Sequence, residues 1–324
     1  MKNKMLLMLI CLAFLGVSQA QAEQYPSKVI TLIVPFSAGG PTDTVARLLA
    51  QAMGASLKTQ IIVENVAGAG GTIASTRVAQ SPPDGYTIFL HHIGFSTAPS
   101  LYRKLPYDTI RDFEPIGLVG DVPMTLVARK DFPPKDLKEL ISYVKANKEK
   151  INLANAGLGA ASHLCGMLFM SAIQTDFTTI PYKGTGPAMN DLLGGQVDFM
   201  CDQITNTISQ IKAGKIKVYG VTTKTRVPSL SNVPTVQEAG LPNFEITVWQ
   251  GLYAPKGTPT AVIDRLVKAL QDALADPTLN QRFAELGTKA ETKNHATPEA
   301  LRAHLKAEID KWAPIIKKAG VYAD

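Results

Sequence analysis

Three glycine-containing stretches carry the chemistry this sequence offers: FSAGGPTD (Phe36 to Asp43), AGLGAASH (Ala156 to His163) and YKGTGP (Tyr182 to Pro187). Each follows a run of β-formers and opens a helical pattern, and a fourth, GAGGT (Gly68 to Thr72), follows IIVEN (Ile61 to Asn65). A helix that starts this way presents unpaired backbone N–H groups and its positive dipole end beyond the carboxyl edge of the sheet, where open α/β sheets bind ligands. Such junctions can hold a phosphate, a reacting carbonyl or the carboxylate of a guest.

The candidate groups follow from these loops. The first supplies Phe36, Ser37, Ala38, Gly39 and Gly40, with Asp43 in the first helical turn placed to cap the helix, lock the loop or receive a ligand hydroxyl. The second-strand loop supplies Gly70. The next two supply Gly159, Ala160, Ser162 and His163, then Tyr182, Lys183 and Gly184. In LHHIGFS (Leu90 to Ser96) one histidine, taken as His92, reaches an anionic guest together with Ser96, the other reading being a satisfied surface histidine. Asp202 follows the strand VDFMC (Val197 to Cys201) at the edge facing the same cleft, with the same readings as Asp43.

Competing chemistries lack their residues. No loop reads G-x-G-x-x-G, because Ile73 stands where the third glycine belongs, and none carries the lysine of a phosphate-cradling loop, so no nucleotide cofactor is expected. Ser162 and His163 are neighbours on a helix, about 100° apart, and cannot face one another as nucleophile and base; a helix-capping role suits Ser162 better, and hydrolysis is the rival reading. Adjacent strand residues His91 and His92 point to opposite faces, so no metal is expected.

The elements that position these loops alternate. VITLIV (Val29 to Val34), IIVEN and YTIFL (Tyr86 to Leu90) are strands separated by helices, which means βαβ units in a largely parallel sheet. FEPIGLVGDVPMTLV (Phe113 to Val127) is too long for one simple strand and reads as a crossing into a second lobe of the same grammar, with a helix over 137–147, strands at 151–155, 178–182, 197–201 and 217–222, and a helix over 162–173. A second β-like run at FEITVW (Phe244 to Trp249) precedes a mostly helical tail, which returns to the first lobe. The expected division is 23–123 with 249–324 in lobe 1 and 124–248 in lobe 2, a two-strand hinge able to close on a ligand.

MKNK, the apolar stretch Leu6 to Leu15 and SQA or AQA read as a secretory signal peptide over 1–22, which predicts a soluble periplasmic protein. Its removal takes Lys2 and Lys4 and lowers the formal charge of the 324-residue chain from +6 to +4. No basic stripe interleaved with aromatics appears, so nucleic acid is not an expected partner. Of three cysteines, Cys11 goes with the leader, and Cys165 and Cys201 are either a bridge or two buried thiols.

The ordered set PFSAGGPTD, EN, GAGG, DGY (Asp84 to Tyr86), LPYD (Leu105 to Asp108), DFEPI (Asp112 to Ile116), SH, YKG, GGQVD (Gly194 to Asp198), GK and PSLSNVPTVQE (Pro228 to Glu238) resembles the Bug family of extracytoplasmic solute-binding receptors of tripartite tricarboxylate transporters. The resemblance spans essentially the whole mature chain. It implies an α/β, type II periplasmic binding protein fold, a monomer without catalytic activity, and membrane permease subunits as partners, with a membrane kinase as the alternative. It also implies a guest carboxylate resting on the loops named above. The sequence departs from the family pattern at HHIGF (His91 to Phe95). With Phe36, Phe95 and Tyr182 set near the loops, that departure suggests an aromatic dicarboxylate such as terephthalate beside the aliphatic di- or tricarboxylates.

Overall fold

The computed structural model describes residues 25–323, and the signal peptide expected over 1–22 lies outside the described residues. The first strand, β1 (Ile30–Val34), is buried almost throughout, as a parallel strand covered on both faces must be. Pro41 opens helix α1 (Pro41–Leu57), where its missing N–H costs nothing, and Val45, Leu49, Met53 and Leu57 recur on the buried face. Strand β2 (Ile61–Asn65), helix α2 (Thr72–Ala79) and strand β3 (Thr87–His92) follow, giving the parallel order β2-β1-β3.

Strand β4 (Phe113–Arg129) is one continuous 17-residue strand. Up to Pro123 it pairs antiparallel with β9 (Thr247–Pro255), which itself pairs antiparallel with β3. From Met124 onward its partners are β7 (Phe199–Gln203) and β8 (Ile216–Val221), and β5 (Asn152–Asn155) and β6 (Thr178–Pro181) continue that sheet in parallel. Of the run FEITVW only Thr247 to Trp249 belong to a strand, which extends to Pro255; Phe244 to Ile246 precede it. Register shifts at Pro115/Gly117 and Leu118/Gly120 bend β4.

Four helices serve the second half: α4 (Leu137–Ala146), α5 (Ala161–Ile173), α6 (Thr185–Leu193) and α7 (Ile204–Lys212). The tail comprises α8 (Thr260–Ala275), α9 (Pro277–Glu285), the short strand β10 (Lys289–Ala290) and α10 (Pro298–Ala319). It returns to the first half: α8 packs on α1, and α10 packs on β4 and on helix α3, the helix over Gly94–Leu101. Nothing in the sequence pattern marks that last helix, which contains Pro99. Its formation turns Phe95 inward, fully buried against Phe113 and Tyr253 at 4.9 and 5.0 Å between ring centroids. The expectation that Phe95 lies near the glycine loops is therefore corrected.

One core runs through both halves, from Phe89, Phe95 and Phe113 across Met124 and Leu126 to Phe169 and Phe199. Where β4 changes partners, the buried hydroxyl of Thr222 accepts the Met124 N–H at 3.1 Å and donates to Ile246 O at 2.6 Å, tying both crossing segments together. Cys165 on α5 and Cys201 on β7 are bonded, with Cα atoms 6.0 Å apart. Thr222→Val strips one buried donor and acceptor from the crossing and should lower unfolding free energy by about 1–3 kcal/mol, read by urea titration; an unchanged midpoint would show that the crossing does not depend on this hydroxyl.

Candidate functional site

Four helix starts meet in one place. Pro41 and Thr42 of α1, Ala161 and Ser162 of α5, Thr185 of α6 and Gln203, the residue before α7, line a small internal chamber together with Phe36, His92, Ala156 and Asp202. None of these four helices is capped by a side chain: the cap positions are Gly40, Ala160, Gly184 and Gln203. Helices α4, α9 and α10 are capped by Asp136, Asp276 and Thr297, whereas α2, α3 and α8, none of which lines the chamber, also start without a side-chain cap. Helix dipoles place about half a positive charge at each start, so four starts amount to about two positive charges aimed at one point without a cationic side chain among the lining residues.

The halves of the molecule touch along two seams beside the chamber. On one, Ser37 donates both its N–H and its Oγ–H to Lys183 O, at 3.0 and 2.8 Å. On the other, Thr97 Oγ1 lies 3.2 Å from Gly159 O, and Tyr102 OH lies 2.8 Å from Ala69 O and 3.2 Å from Leu158 O. Glycine is required at both seams. A Cβ on Gly184, at φ +146, would stand 2.9 Å from Ser37 N, and one on Gly70 would stand 1.9 Å from Leu158 O. The enclosed volume is about 10 Å³, room for about one water. A larger guest therefore needs the seams to part.

Of the residues expected from sequence, Phe36, His92, Ser162 and Asp202 come together at the chamber. Ser37, Lys183 and Gly184 form the first seam, with Ala38 and Gly40 packed against Gly186; Gly70 and Gly159 belong to the second. Tyr182 points its hydroxyl at Asp191, 2.6 Å away, and Ser96 returns its own to Ile93 O. Asp43 neither caps its helix nor meets the chamber: its oxygens accept from Gly39 N–H, Arg47 and Asn65 at 2.9 Å each, locking the loop. Burial opposes that charge, but these bonds hold its carboxyl below the ordinary range. Gly39 has open space around it, so its φ of +78 is what calls for glycine.

Ser162 does not cap α5. Its Oγ accepts the Ala156 N–H at 2.8 Å, pinning the loop entrance. His163 Nδ1 accepts from Gly159 N–H at 3.2 Å, so the pair is engaged with two different backbone groups rather than with each other. Thr42 and Thr185 lie within the glycine stretches but were not singled out there, and Gln203 lies outside them; position at the start of a helix following a strand was the available signal.

His91 and His92 are not surface histidines: both are buried, because the strand end is covered by Phe36, Phe89 and Phe95. The His92 ring stacks on Phe36 at 4.6 Å, and its Nδ1 accepts from Gly94 N–H at 3.0 Å, leaving the proton of the neutral ring on Nε2. A second and much larger cavity, about 880 Å³, lies across the hinge among Trp249, His304, Glu308 and Trp312, and no glycine lines it.

The sequence profile of the tripartite tricarboxylate transporter family receptor matches residues 45–321. The chain belongs to this receptor family. It superposes on the periplasmic binding protein BugD with a TM-score of 0.90 and 56% identity, covering 92% of this chain and 99% of that one. The malate-bound MatC protein of Rhodopseudomonas palustris gives 0.87 and 41%, covering 90% and 100%. An adipate-bound protein of R. palustris gives 0.87 and 33%, covering 92% and 99%. The α/β architecture is thus the periplasmic binding protein fold, and Bug-type carboxylate receptors are what this chain resembles throughout.

The buried histidines set a pH dependence. Burial lowers His92 and His163 to about 4, and burial together with the neighbouring His92 holds His91 well below the ordinary histidine range. The unfolded chain takes up these protons near 6.5, so protonation favours unfolding as pH falls from about 6.5 to 4. Asp202 opposes this: burial pushes its carboxyl up to about 6, so the folded chain takes that proton first. These three histidines outweigh that carboxyl, so stability is expected to fall between pH 7.5 and 5.0 in urea titrations, His304, lowered by burial, adding to the loss and Asp121, raised by burial, opposing it. Stability that holds or rises over this interval would contradict the neutral, buried assignment.

Proposed function

We propose that this protein is a periplasmic receptor, exported by its N-terminal segment, that captures a small organic carboxylate without altering it and delivers it to the permease subunits of a tripartite transporter. The observation that carries this reading is the convergence of four uncapped helix starts on one chamber. Micromolar capture needs about 8 kcal/mol, whereas one helix end supplies at most about 2 kcal/mol. Four ends, together with the hydroxyls of Ser162 and Thr185 and the Nε2–H of His92, reach that range once closure has expelled water. The working division is a lobe of 23–123 with 249–324 and a lobe of 124–248, meeting where β4 changes partners. On this reading Phe36, Ser37, Gly40, Gly70, Gly159, Ser162, Gly184 and Asp202 all serve the guest, some through contact and some by letting the seams close.

An aliphatic guest suits the chamber better than terephthalate. Only Phe36 of the expected aromatic trio lines it, and that ring is already stacked on His92. The relatives caught with guests hold malate and adipate, both aliphatic. Nothing favours hydrolysis, since Ser162 and His163 have separate partners.

Calorimetry with a panel of aliphatic di- and tricarboxylates and terephthalate should give micromolar binding for at least one aliphatic acid, recovered chemically unchanged by mass spectrometry. A panel without binding, or a product in place of the acid, would overturn the reading. Gly184→Ala and Gly70→Ala obstruct seam closure and should weaken that binding at least tenfold while leaving the circular dichroism spectrum unchanged. Wild-type affinity in both would mean that closure is not part of capture.

A further inference from the structure

We propose that Asp202 is the specificity-determining residue of the chamber, selecting carboxylic acids that carry a hydroxyl or ammonium donor beside a carboxylate over unsubstituted dicarboxylates. The proposal rests on the reading of the chamber as a carboxylate site. A buried acid is an odd lining for such a chamber. Asp202 is the next-to-last residue of β7, is wholly inaccessible, and shares the chamber wall with four helix starts that favour anions. Its Oδ1 accepts from Gln203 N–H at 2.8 Å and its Oδ2 from Asn206 Nδ2 at 2.6 Å. A carboxylate accepts about four hydrogen bonds, so lone pairs remain on both oxygens. No lysine or arginine forms an ion pair with it among the described residues, and the titratable side chain facing the chamber from the other half, His92, is held neutral by burial.

A guest carboxylate drawn to the same helix ends brings a second negative charge into a water-free space that already holds one. In low dielectric that repulsion is large at contact distance. A plain dicarboxylate has nothing to place between the two charges. A hydroxyl or ammonium group next to the guest carboxylate turns the clash into a charge-assisted hydrogen bond, with Asp202 as acceptor. Beside Asp202, the buried hydroxyl of Thr185 interacts with that carboxylate and has no other partner, so the wall offers a donor that can turn from Asp202 to a guest. A donor-bearing carboxylate fits that pair: its carboxylate accepts from Thr185 and Ser162, and its hydroxyl or ammonium donates to Asp202. Buried polar groups of this kind discriminate strongly, because a guest lacking the matching group leaves them unpaired.

Asp202 also has a scaffolding task, since Asn206 Nδ2 lies 3.3 Å from Thr185 O and so links the starts of α6 and α7. The test separates the two. Affinities of the full mature protein are measured by calorimetry at pH 7.5 for succinate, malate and aspartate, and for glutarate, 2-hydroxyglutarate and glutamate. Wild type should bind at least one substituted acid tenfold or more tightly than its unsubstituted parent. Asp202→Asn should erase that preference, weakening the substituted acid at least tenfold while leaving the parent unchanged or tighter. Asn206→Ala breaks the scaffold bond but keeps the carboxylate, and should retain the preference. Equal or better binding of the parents by wild type, an equal loss for parent and substituted acid in Asp202→Asn, or loss of the preference in Asn206→Ala would each overturn the proposal. So would binding of other carboxylates with none of these six. If no carboxylate binds wild type at all, the underlying carboxylate reading is what fails.

Discussion

The structure depends on a concentrated field of backbone N–H groups with no cationic side chain behind it. Four helices begin at the chamber wall, and each leaves its first N–H groups without a side-chain cap. In a closed space those dipoles would be costly if unanswered, since buried polar groups cost more than hydrogen bonds to water return. On the proposed reading, an anion at the convergence point, with water excluded, answers those dipoles. Phe36, Pro41, Ala156 and Ala161 supply the apolar walls that lower the local dielectric and strengthen every interaction inside.

Everything else in the fold serves to bring these four starts together and let them separate. Parallel strands point their carboxyl ends the same way, so each strand-to-helix loop delivers a helix start to the same edge. Strand β4 then spans both halves without interruption, and Thr222 fastens the return segment to it. The two halves are joined by packed strands rather than a loose linker, because one core runs through the junction. The seams are glycine and backbone, which lets carbonyls and amides of opposite halves meet directly, as Ser37 meets Lys183 O. Asp43 keeps the first loop in shape for this by engaging Gly39 N–H.

Receptors that use backbone donors rather than arginine can recognise charge without a fixed salt bridge, and release it without breaking one. In the proposed capture, affinity would reside in closure, where many modest interactions act together. The buried neutral histidines fit this economy: His92 offers an N–H and no charge, and its ring doubles as a wall stacked on Phe36.

Much of this was legible in the sequence. β-Former, glycine turn and helical periodicity recur because local propensity, turn chemistry and burial agree at each unit, so the α/β alternation, the long crossing strand and the glycine loops could be read directly. Phe36, Ser162 and Asp202 stand at strand-to-helix junctions and were recognisable for that reason. What only the tertiary structure decided is which neighbours each side chain meets. The helix over Gly94–Leu101 turns Phe95 into the core, and the covering of β3 buries both histidines. Ser162 pins Ala156 instead of capping its helix, and Thr185 and Gln203 reach the chamber from loops far apart in the chain. A residue's period along the chain fixes the element it belongs to, but its partners are set by packing between segments distant in sequence, and no local pattern encodes those distances.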